Sequence, residues 1–462
     1  MKVGIVGTGY VGLTTGACLA FIGHDVVCVD SDLAKVDGLR AGKVPIHEPH
    51  LAELLAMVSG RMCFTSDYRT AIADADVVFI AVNTPSAEGG APDLRYLQSA
   101  AESIGRHLAK AYTVVVNKST VPIGSGNWVE TILRESFERD RSTADATFAV
   151  ASNPEFLREG SAIFDSLYPD RVVVGSDDQR SREVLYHLYR PVLDQSFTPP
   201  PFVPRPEDMG AVPLVACDLA SAELIKYAAN AFLALKISYA NEISLLAGKV
   251  GADISQVTKG IGLDSRIGSR FLQPGIGWGG SCFGKDTAAL VATAADYNLE
   301  MPLVAATRAI NRRQRDLVVD RLQDELRILK GRTIGILGLA FKPNTDDLRD
   351  APAVEIADRL LQRGARVRLH DPVAMNRLGV ERPDLAAFLR ETAVEAAEGC
   401  DALVLATEWT EYLEADWTEI ASVMRTPVLL DGRTALDPAR IRDAGLRCLS
   451  LSGWLPSSLV TP

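Results

Sequence analysis

The sequence lacks paired cysteines, long apolar runs and an excess of basic residues. Its seven cysteines include no CxxC pair, so neither a disulfide framework nor a zinc site is expected, and a reducing compartment fits. No apolar run approaches the ~20 residues of a membrane span, and the N-terminus leads directly into a strand pattern. A net charge of −11 argues against nucleic acid or an anionic membrane as partner. We therefore expect a soluble, cytoplasmic protein.

Short β-rich runs alternate with helical patterns over the first half of the chain, which predicts a parallel, doubly wound sheet. The predicted strands cover residues 2–6, 25–29, 75–82, 113–117, 148–151 and 171–174. A proline-rich stretch over residues 196–215 then predicts a surface excursion. Residues 218–250 form an almost unbroken helical pattern, long enough to link two domains or to build an interface.

The βαβ pattern begins again near Lys330, with strands predicted at 333–338, 366–369, 402–406 and 427–430. The predicted fold is therefore α/β, with two doubly wound Rossmann-like domains joined by a long central helix. We expect a first domain over 1–215, a central helical domain over 216–325 and a second Rossmann-like domain over 326–462.

A glycine fingerprint follows the first predicted strand. Gly7, Gly9 and Gly12 open a helix, and Asp30 ends the next strand about twenty residues later. The three glycines allow a tight turn, close approach of a pyrophosphate, and helix–strand packing. Asp30 can accept hydrogen bonds from ribose hydroxyls and would repel a 2′-phosphate. The pattern predicts an NAD site in preference to NADP.

Two hydroxyl side chains follow later predicted strands. Thr84 lies in Asn83-Thr84-Pro85 and Thr120 in Ser119-Thr120-Val121-Pro122. Ligands in open α/β sheets bind beyond the carboxyl ends of the strands, so both threonines are candidates for contact with cofactor or substrate. Turn and capping chemistry would explain them equally well at this point.

Glycines surround one thiol, Cys282, in the segment 275–286. A lone cysteine is usually inert, but this one lies near a predicted helix start after Asp286 and close to Lys285, which predicts a lowered thiol pKa. A dinucleotide fingerprint together with a nucleophilic thiol has a specific meaning. The thiol adds to an aldehyde as a thiohemiacetal, and loss of hydride leaves a thioester that water hydrolyses. The combination predicts oxidation to a carboxylic acid.

Several long motifs together make the chain resemble the UDP-glucose/GDP-mannose dehydrogenase family over nearly its whole length. They are the glycine fingerprint, Ser119 to Pro122, Asn153 to Gly160, Ala222 to Asn230, the cysteine segment and Gly338 to Pro343. The resemblance implies oxidation of UDP-glucose at C6 to UDP-glucuronate, with two NAD reduced. The stretch 197–213 is longer than the family usually carries, which puts that loop in doubt and leaves the chemistry untouched.

The resemblance also assigns roles to residues. It implies Cys282 as nucleophile, Lys226 and Asn230 as groups that hold substrate and stabilise oxygen charge, Asp286 and Thr120 in water activation, and Glu155 in acid–base work. Lys226 and Asn230 independently share one helix face through their i, i+4 spacing. The implied cofactor contacts are Gly7, Gly9, Gly12, Asp30, Lys35, Thr84, Thr120, Glu159, Lys285 and Arg349. The implied substrate contacts are Glu155, Phe156, Leu157, Arg158, Lys226, Asn230, Arg266, Phe271, Leu272, Gln273, Pro274, Gly275, Gly279, Lys342 and Arg433.

The resemblance further implies a UDP-sugar site on the second Rossmann-like domain and a homodimer or higher oligomer. Arg266 would then reach the site of a neighbouring subunit, and the central helix would form the dimer core. Three alternatives stay open from the sequence. They are the same chemistry on GDP-mannose or a UDP-N-acetylhexosamine, a two-electron dehydrogenase of small hydroxy acids, and a non-catalytic NAD-binding module.

Overall fold

The computed structural model describes residues 1–85, 92–139 and 146–452. The chain divides into two compact units, and each is described by itself. The first contains Met1–Ala229 and Ala288–Tyr297, and the second contains Asn230–Thr287 and the chain from Asn298 onward. No helix within the described ranges combines the length and the apolar character that crossing a membrane requires.

A mixed but mostly parallel sheet forms the core of the first unit. In the described residues its strands are β1 (Lys2–Val6), β2 (Asp25–Val29), β3 (Met62–Thr65), β4 (Val77–Ile80), β5 (Thr113–Asn117), β6 (Phe148–Ser152), β7 (Val172–Gly175) and β8 (Leu214–Cys217). Their order is β3-β2-β1-β4-β5-β6-β7-β8. β6 and β7 pair antiparallel through Ser152 and Gly175, and the other pairs run parallel. Every residue of β4 and β5 is buried, as expected for strands covered on both faces.

Helices follow most of these strands. They are α1 (Tyr10–Phe21), α2 (Leu33–Arg40), α3 (Leu51–Met57), α4 (Tyr68–Ile72), α5 (Arg95–His107), α6 (Ser125–Arg139), α7 (Ala162–Leu167) and α8 (Gln179–Leu193). Aspartates begin several of them, because a carboxylate satisfies the free N–H groups of a first turn. Asp67, for example, accepts from Arg69 N at 3.0 Å and Thr70 N at 3.2 Å.

The predicted long helix is α9 (Leu219–Val250), which spans 32 residues and contributes to both units. It is followed by α10 (Ile254–Gly262), α11 (Phe283–Asp296) and α12 (Pro302–Leu326). The start of α11 at Phe283 corrects the prediction that the helical pattern resumes after Asp286. Cys282 therefore immediately precedes the helix, and Asp286 lies in its first turn.

A parallel sheet forms the core of the second unit. Within the described ranges its strands are β9 (Thr333–Leu337), β10 (Arg366–His370), β11 (Ala402–Leu405), β12 (Val428–Asp431) and β13 (Arg447–Ser450), in the order β10-β9-β11-β12-β13. The helices beside it are α13 (Pro352–Gln362), α14 (Met375–Glu381), α15 (Ala393–Ala397), α16 (Thr410–Leu413), α17 (Trp417–Val423) and α18 (Pro438–Asp443), with a 3₁₀ turn at Ala386–Phe388. The predicted fold class is confirmed.

The proline-rich stretch differs in part from the sequence prediction. It lies mostly at the surface, as predicted, but it also packs an aromatic ring against other residues of the first unit. The Phe197 ring lies 6.2 Å from that of Phe21 and 5.9 Å from that of Tyr168, and Arg205 donates to Phe197 O at 2.6 Å. The stretch then enters the edge strand β8 at Leu214, inside the range predicted as loop.

Candidate active site

The glycine turn between β1 and α1 forms an open cradle. A Cβ on Gly12 would lie 2.0 Å from Gly7 O, and Gly7 has a φ of +99°, so larger residues are excluded at both positions. A Cβ on Gly9 would meet nothing closer than Asn83 Oδ1 at 3.7 Å. Gly9 begins α1 without a side-chain cap, which leaves N–H groups facing this space. The cradle therefore fits a dinucleotide pyrophosphate.

Asp30 lies directly after β2, as the fingerprint requires. Its Oδ2 accepts from Thr8 N at 2.8 Å and from Lys35 Nζ at 3.2 Å. Burial opposes ionisation, but hydrogen bonds from Thr8 and Asp32 and the charge of Lys35 hold the Asp30 pKa below its usual value. A negative charge here fits the ribose hydroxyls of NAD and disfavours a 2′-phosphate. Lys35, another predicted cofactor contact, lies at the same place.

The two predicted threonines lie side by side at the carboxyl ends of β4 and β5. Thr84 Oγ1 donates to Thr120 O at 2.8 Å, and Ser119 Oγ donates to Val82 O at 2.8 Å. These bonds join the two loops that follow neighbouring strands. Thr84 itself is buried, whereas Thr120 is partly exposed.

Glu155 and Lys226 form a buried ion pair in the first unit. Lys226 Nζ donates to Glu155 Oε1 at 2.8 Å and to Glu155 O at 2.5 Å, and both side chains are almost wholly buried. Burial raises the Glu155 pKa, but the Lys226 charge and a hydrogen bond from Leu157 N outweigh it, so the pKa stays below its usual value. Lys118 lies nearby, and burial lowers its pKa to about 8.

The other predicted residues of the loop after β6 are engaged differently. The Phe156 ring lies beneath two cations, Arg171 at 3.7 Å and Lys226 at 5.4 Å. Arg158 is exposed and pairs with Asp165, its Nη2 lying 2.6 Å from Oδ1. Leu157 and Glu159 are partly exposed in the same loop.

Cys282 lies at the N-terminal end of α11 in the second unit. Its Sγ is 3.5 Å from Ser281 Oγ, and the helix end supplies a positive dipole that favours a thiolate. One turn into the helix, the fully buried Asp286 carboxylate is held from two sides. Asn230 Nδ2 donates to its Oδ2 at 2.6 Å, and Lys285 Nζ lies 3.0 Å from its Oδ1. The structure therefore brings four predicted residues of this unit into one place.

Arg433 connects three loops of the second unit. Its Nε donates to Ala406 O at 2.5 Å, its Nη2 to Phe341 O at 3.1 Å and its Nη1 to Gly277 O at 3.4 Å. A Cβ on Gly275 would lie 2.8 Å from Gly432 O, so this glycine allows the loops to approach closely. Lys342 follows Phe341 and places its Nζ 5.7 Å from that ring. Two cations at the carboxyl edge of this sheet suit a diphosphate.

The remaining predicted residues lie in the same unit, and two of them approach the segment around Cys282. Arg349 O accepts from Gly280 N at 2.8 Å, and the Phe271 ring lies 6.2 Å from that of Phe283. Arg266 is exposed and pairs with Asp264 at 2.6 Å, and Arg349 pairs with Asp347 at 2.7 Å. Phe271 has a φ of +64°. Leu272, Pro274 and Gly279 are buried, whereas Gln273 is exposed.

A polar face of α12, which the sequence analysis missed, holds the loop before Cys282. Asn311 Oδ1 accepts from Trp278 N at 2.7 Å, and Asn311 Nδ2 donates to Trp278 O at 2.9 Å. Arg315 donates to Trp278 O and to Asp350 O, each at 3.3 Å. In the sequence, these residues belong to the polar run Ala-Ile-Asn-Arg-Arg-Gln-Arg. Such a run resembles the solvent-exposed face of a helix, and only the structure shows that Asn311 and Arg315 are buried.

Glu223 is a second missed residue, located in the first turns of α9. It accepts from Gly124 N at 2.6 Å and from Gly126 N at 2.8 Å. Burial raises its pKa to about 7 even though these N–H groups act in the opposite direction. Nothing in the sequence distinguishes it from a surface glutamate.

A dinucleotide cradle, an acidic ribose partner, a buried lysine–carboxylate pair and a thiol at a helix start together define a dinucleotide-dependent dehydrogenase. Comparison with known proteins makes this specific. Residues 1–193, 220–313 and 335–438 match the NAD binding, central and UDP binding domains of the UDP-glucose/GDP-mannose dehydrogenase family. The chain belongs to this family, and NAD is its cofactor.

Individual relatives match over nearly full length. The UDP-glucose 6-dehydrogenase of Rhizobium meliloti is 47% identical over 460 residues, covering 98% of this chain and 99% of the relative. UDP-glucose 6-dehydrogenase TuaD of Bacillus subtilis is 43% identical, covering 96% and 91%. A solved UDP-glucose dehydrogenase from Pyrobaculum islandicum is similar with a TM-score of 0.86 at 38% identity, covering 98% of both chains.

Proposed function

We propose that the protein is an NAD-dependent UDP-glucose 6-dehydrogenase that oxidises C6 of UDP-glucose through an aldehyde to the carboxylate of UDP-glucuronate. The observation that carries the proposal is Cys282 at the start of α11, one helical turn from the buried Asp286 that Asn230 and Lys285 hold. The near-full-length relatives named UDP-glucose 6-dehydrogenase support the choice of substrate.

The chain's own residues account for each part of the reaction. The Cys282 thiolate adds to the C6 aldehyde, and the thiohemiacetal becomes a thioester that water hydrolyses. Lys226 stabilises negative charge on the reacting oxygen, Glu155 takes part in proton transfer, and Asp286 with Thr120 serves the attacking water. NAD held by the glycine cradle and Asp30 would supply the hydride acceptor for the two oxidations.

The residues that hold the two ligands form two sets, one for NAD and one for the substrate. The glycine cradle, Asp30, Lys35, Thr84, Glu159, Lys285 and Arg349 serve NAD. Segment 271–275, Gly279, Lys342 and Arg433 in the second unit, and Phe156, Leu157 and Arg158 in the first unit, are the proposed substrate contacts. We also propose a division at 1–215, 216–325 and 326–462, which the three matched family domains support.

We further propose that the enzyme is a homodimer built on α9 and that Arg266 reaches the partner's site. The exposed Phe232, Tyr239 and Leu246 on α9 support this assembly. A cytoplasmic location belongs to the proposal as well, because each of the seven cysteines is a free thiol in the structure, which suits a reducing compartment.

Product analysis with UDP-glucose and excess NAD tests the function. We expect two NADH for each UDP-glucuronate, and a Cys282→Ala variant that still binds NAD yet forms no UDP-glucuronate. Cys63→Ala, at an exposed thiol outside the site, is the matched control and keeps normal turnover. One NADH per sugar would indicate a two-electron dehydrogenase, and normal acid yield from Cys282→Ala would refute the thiol's role. Initial rates with GDP-mannose and UDP-N-acetylhexosamines test the sugar, and UDP-glucose is expected to be fastest.

A further inference from the structure

Glu223 holds the N-terminal end of α6. Each carboxylate oxygen accepts one backbone N–H, Oε2 from Gly124 at 2.6 Å and Oε1 from Gly126 at 2.8 Å. Glu223 is 3% exposed, so no water network replaces these bonds easily. A Cβ on Gly126 would lie 3.3 Å from Glu223 Oε1, which shows how closely this helix start approaches α9.

The segment that Glu223 holds also carries Thr120. It runs from β5 to α6, and Thr120, Lys118 and Glu223 line one small cavity in the first unit. On the other side of the segment, the Thr84 hydroxyl binds Thr120 O at 2.8 Å. The backbone around Thr120 is therefore fixed by two hydrogen bonds with the loop after β4, from Thr84 Oγ1 to Thr120 O and from Ser119 Oγ to Val82 O. It is also fixed by the bidentate contact from α9.

The same turn of α9 anchors the loop after β6. Lys226 lies three residues after Glu223, and its ammonium binds both Glu155 Oε1 and Glu155 O. One helical turn thus fixes the loops that follow two neighbouring strands, β5 and β6. We infer that Glu223 is a positioning residue that sets Thr120 against the Lys226–Glu155 pair for thioester hydrolysis, an inference that rests on the proposed function.

Hydrolysis is the step most sensitive to this arrangement. The water oxygen bonds to the thioester carbon, the carbon–sulfur bond breaks, and the sulfur leaves with the electron pair. One water proton returns to the thiolate, and the second is released as the carboxylic acid ionises. Formation of the thioester does not require an ordered water, so displacement of Thr120 slows the last step selectively.

Glu223→Gln tests the inference, because the amide keeps the shape but turns an NH₂ group toward one of the two N–H donors. Steady-state turnover is expected to fall about ten-fold, with KM for UDP-glucose and Kd for NAD within about two-fold of wild type. Rapid quenching followed by intact-protein mass spectrometry should then find the acyl adduct on Cys282 accumulated. Glu223→Asp keeps the charge and should restore part of the hydrolysis rate.

Glu130→Gln is the matched control, because Glu130 is partly exposed on α6 and, within the described part of the chain, forms an ion pair only with Arg134 of the same helix; it should show wild-type turnover without adduct. Slow turnover of Glu223→Gln without adduct, or normal turnover, would overturn the inference. If circular dichroism shows that the glutamine variant is unfolded, Glu223→Asp provides the same test, with a smaller adduct expected. Wild-type enzyme that fails to give two NADH per UDP-glucuronate would refute the proposed function instead.

Discussion

At the scale of single residues, we expect the charge on Asp30 to decide which dinucleotide the first unit accepts. Hydrogen bonds from Thr8 and the nearby Lys35 keep this carboxylate ionised. A 2′-phosphate would be repelled by that charge. Among the described residues, Lys35 is the basic side chain that pairs with this carboxylate, and no second one does so. We therefore expect the preference for NAD over NADP to depend on this one side chain, and removal of its charge tests that expectation.

Asp30→Asn is expected to raise the ratio of kcat/KM for NADP to that for NAD by about ten-fold, or ~1.4 kcal/mol, because one close like charge is lost. Initial rates with each dinucleotide at saturating UDP-glucose measure the ratio. Asp37→Asn, exposed on α2, is the control and should leave the ratio unchanged. An unchanged ratio in Asp30→Asn would mean that shape, and not charge, excludes NADP.

A second residue-scale effect concerns His370 at the end of β10. Its Nδ1 lies 2.8 Å from Tyr412 Oη, and burial lowers its pKa although Glu411 and Asp371 act in the opposite direction. The folded state thus binds a proton less readily than the unfolded state. The contribution of His370 to the free energy of unfolding is fully present above the unfolded pKa near 6.5. It is lost as the pH falls below that value.

In urea unfolding between pH 7.5 and pH 5.5, we expect His370→Asn to lose less stability on acidification than wild type, and this difference reports the His370 contribution. Glu223, whose pKa is raised to about 7, contributes to both proteins in the opposite direction. Some slope persists, because burial also lowers the pKa of His24. His187→Asn, exposed on α8, should reproduce the wild-type slope. A His370→Asn slope as steep as wild type would contradict the assignment.

At the scale of secondary-structure elements, α12 acts as a support for the loop that leads to Cys282. Asn311 pairs with both the N–H and the carbonyl of Trp278, much as a neighbouring strand would. Gly277 allows this approach, since a Cβ there would lie 2.6 Å from Asn311 Oδ1. The position of the Cys282 thiol therefore depends on α12, a helix to which the proposed mechanism assigns no group.

Asn311→Ala should lower the free energy of unfolding by about 2 kcal/mol, because it leaves the buried N–H of Trp278 without a partner and leaves the Trp278 carbonyl with only the 3.3 Å bond from Arg315. Turnover should fall further than NAD affinity, since the change displaces the Cys282 loop and leaves the glycine cradle intact. Urea titration and steady-state kinetics measure the two effects. Arg313→Ala, on the exposed side of α12, is the control, and equal losses in both variants would refute the support role.

The elements also show what the sequence could predict. β1, the glycine turn and Asp30 were predictable because the fingerprint is local in sequence. The edge strands β3, β8 and β13 were missed because they have four residues each and lie partly exposed, so their apolar pattern is weak. Cys282 was recognisable from its glycines, whereas Asn311 and Glu223 act through burial and long-range contacts that no local pattern reports.

At the scale of the whole molecule, α9 carries an apolar stripe that the described residues of one chain leave uncovered. Phe232, Tyr239 and Leu246 are 61%, 48% and 59% exposed and recur every seven residues, so they share one helix face. Apolar side chains in such a row mark an interface, and two identical stripes are self-complementary about a two-fold axis. Arg266, which pairs only locally with Asp264 in the described residues, is available to a partner in such a dimer.

The double variant Phe232→Glu and Leu246→Glu is expected to convert a dimer of about twice 49.7 kDa into a monomer of 49.7 kDa, because each copy would bury two charges. Light scattering coupled to size-exclusion chromatography measures the mass. Turnover should also fall when the dimer dissociates, since Arg266 would no longer reach a partner's site. Val380→Glu, 82% exposed on α14, should leave both unchanged. A monomeric wild type, or a double variant that stays dimeric, would refute a dimer built on the α9 stripe.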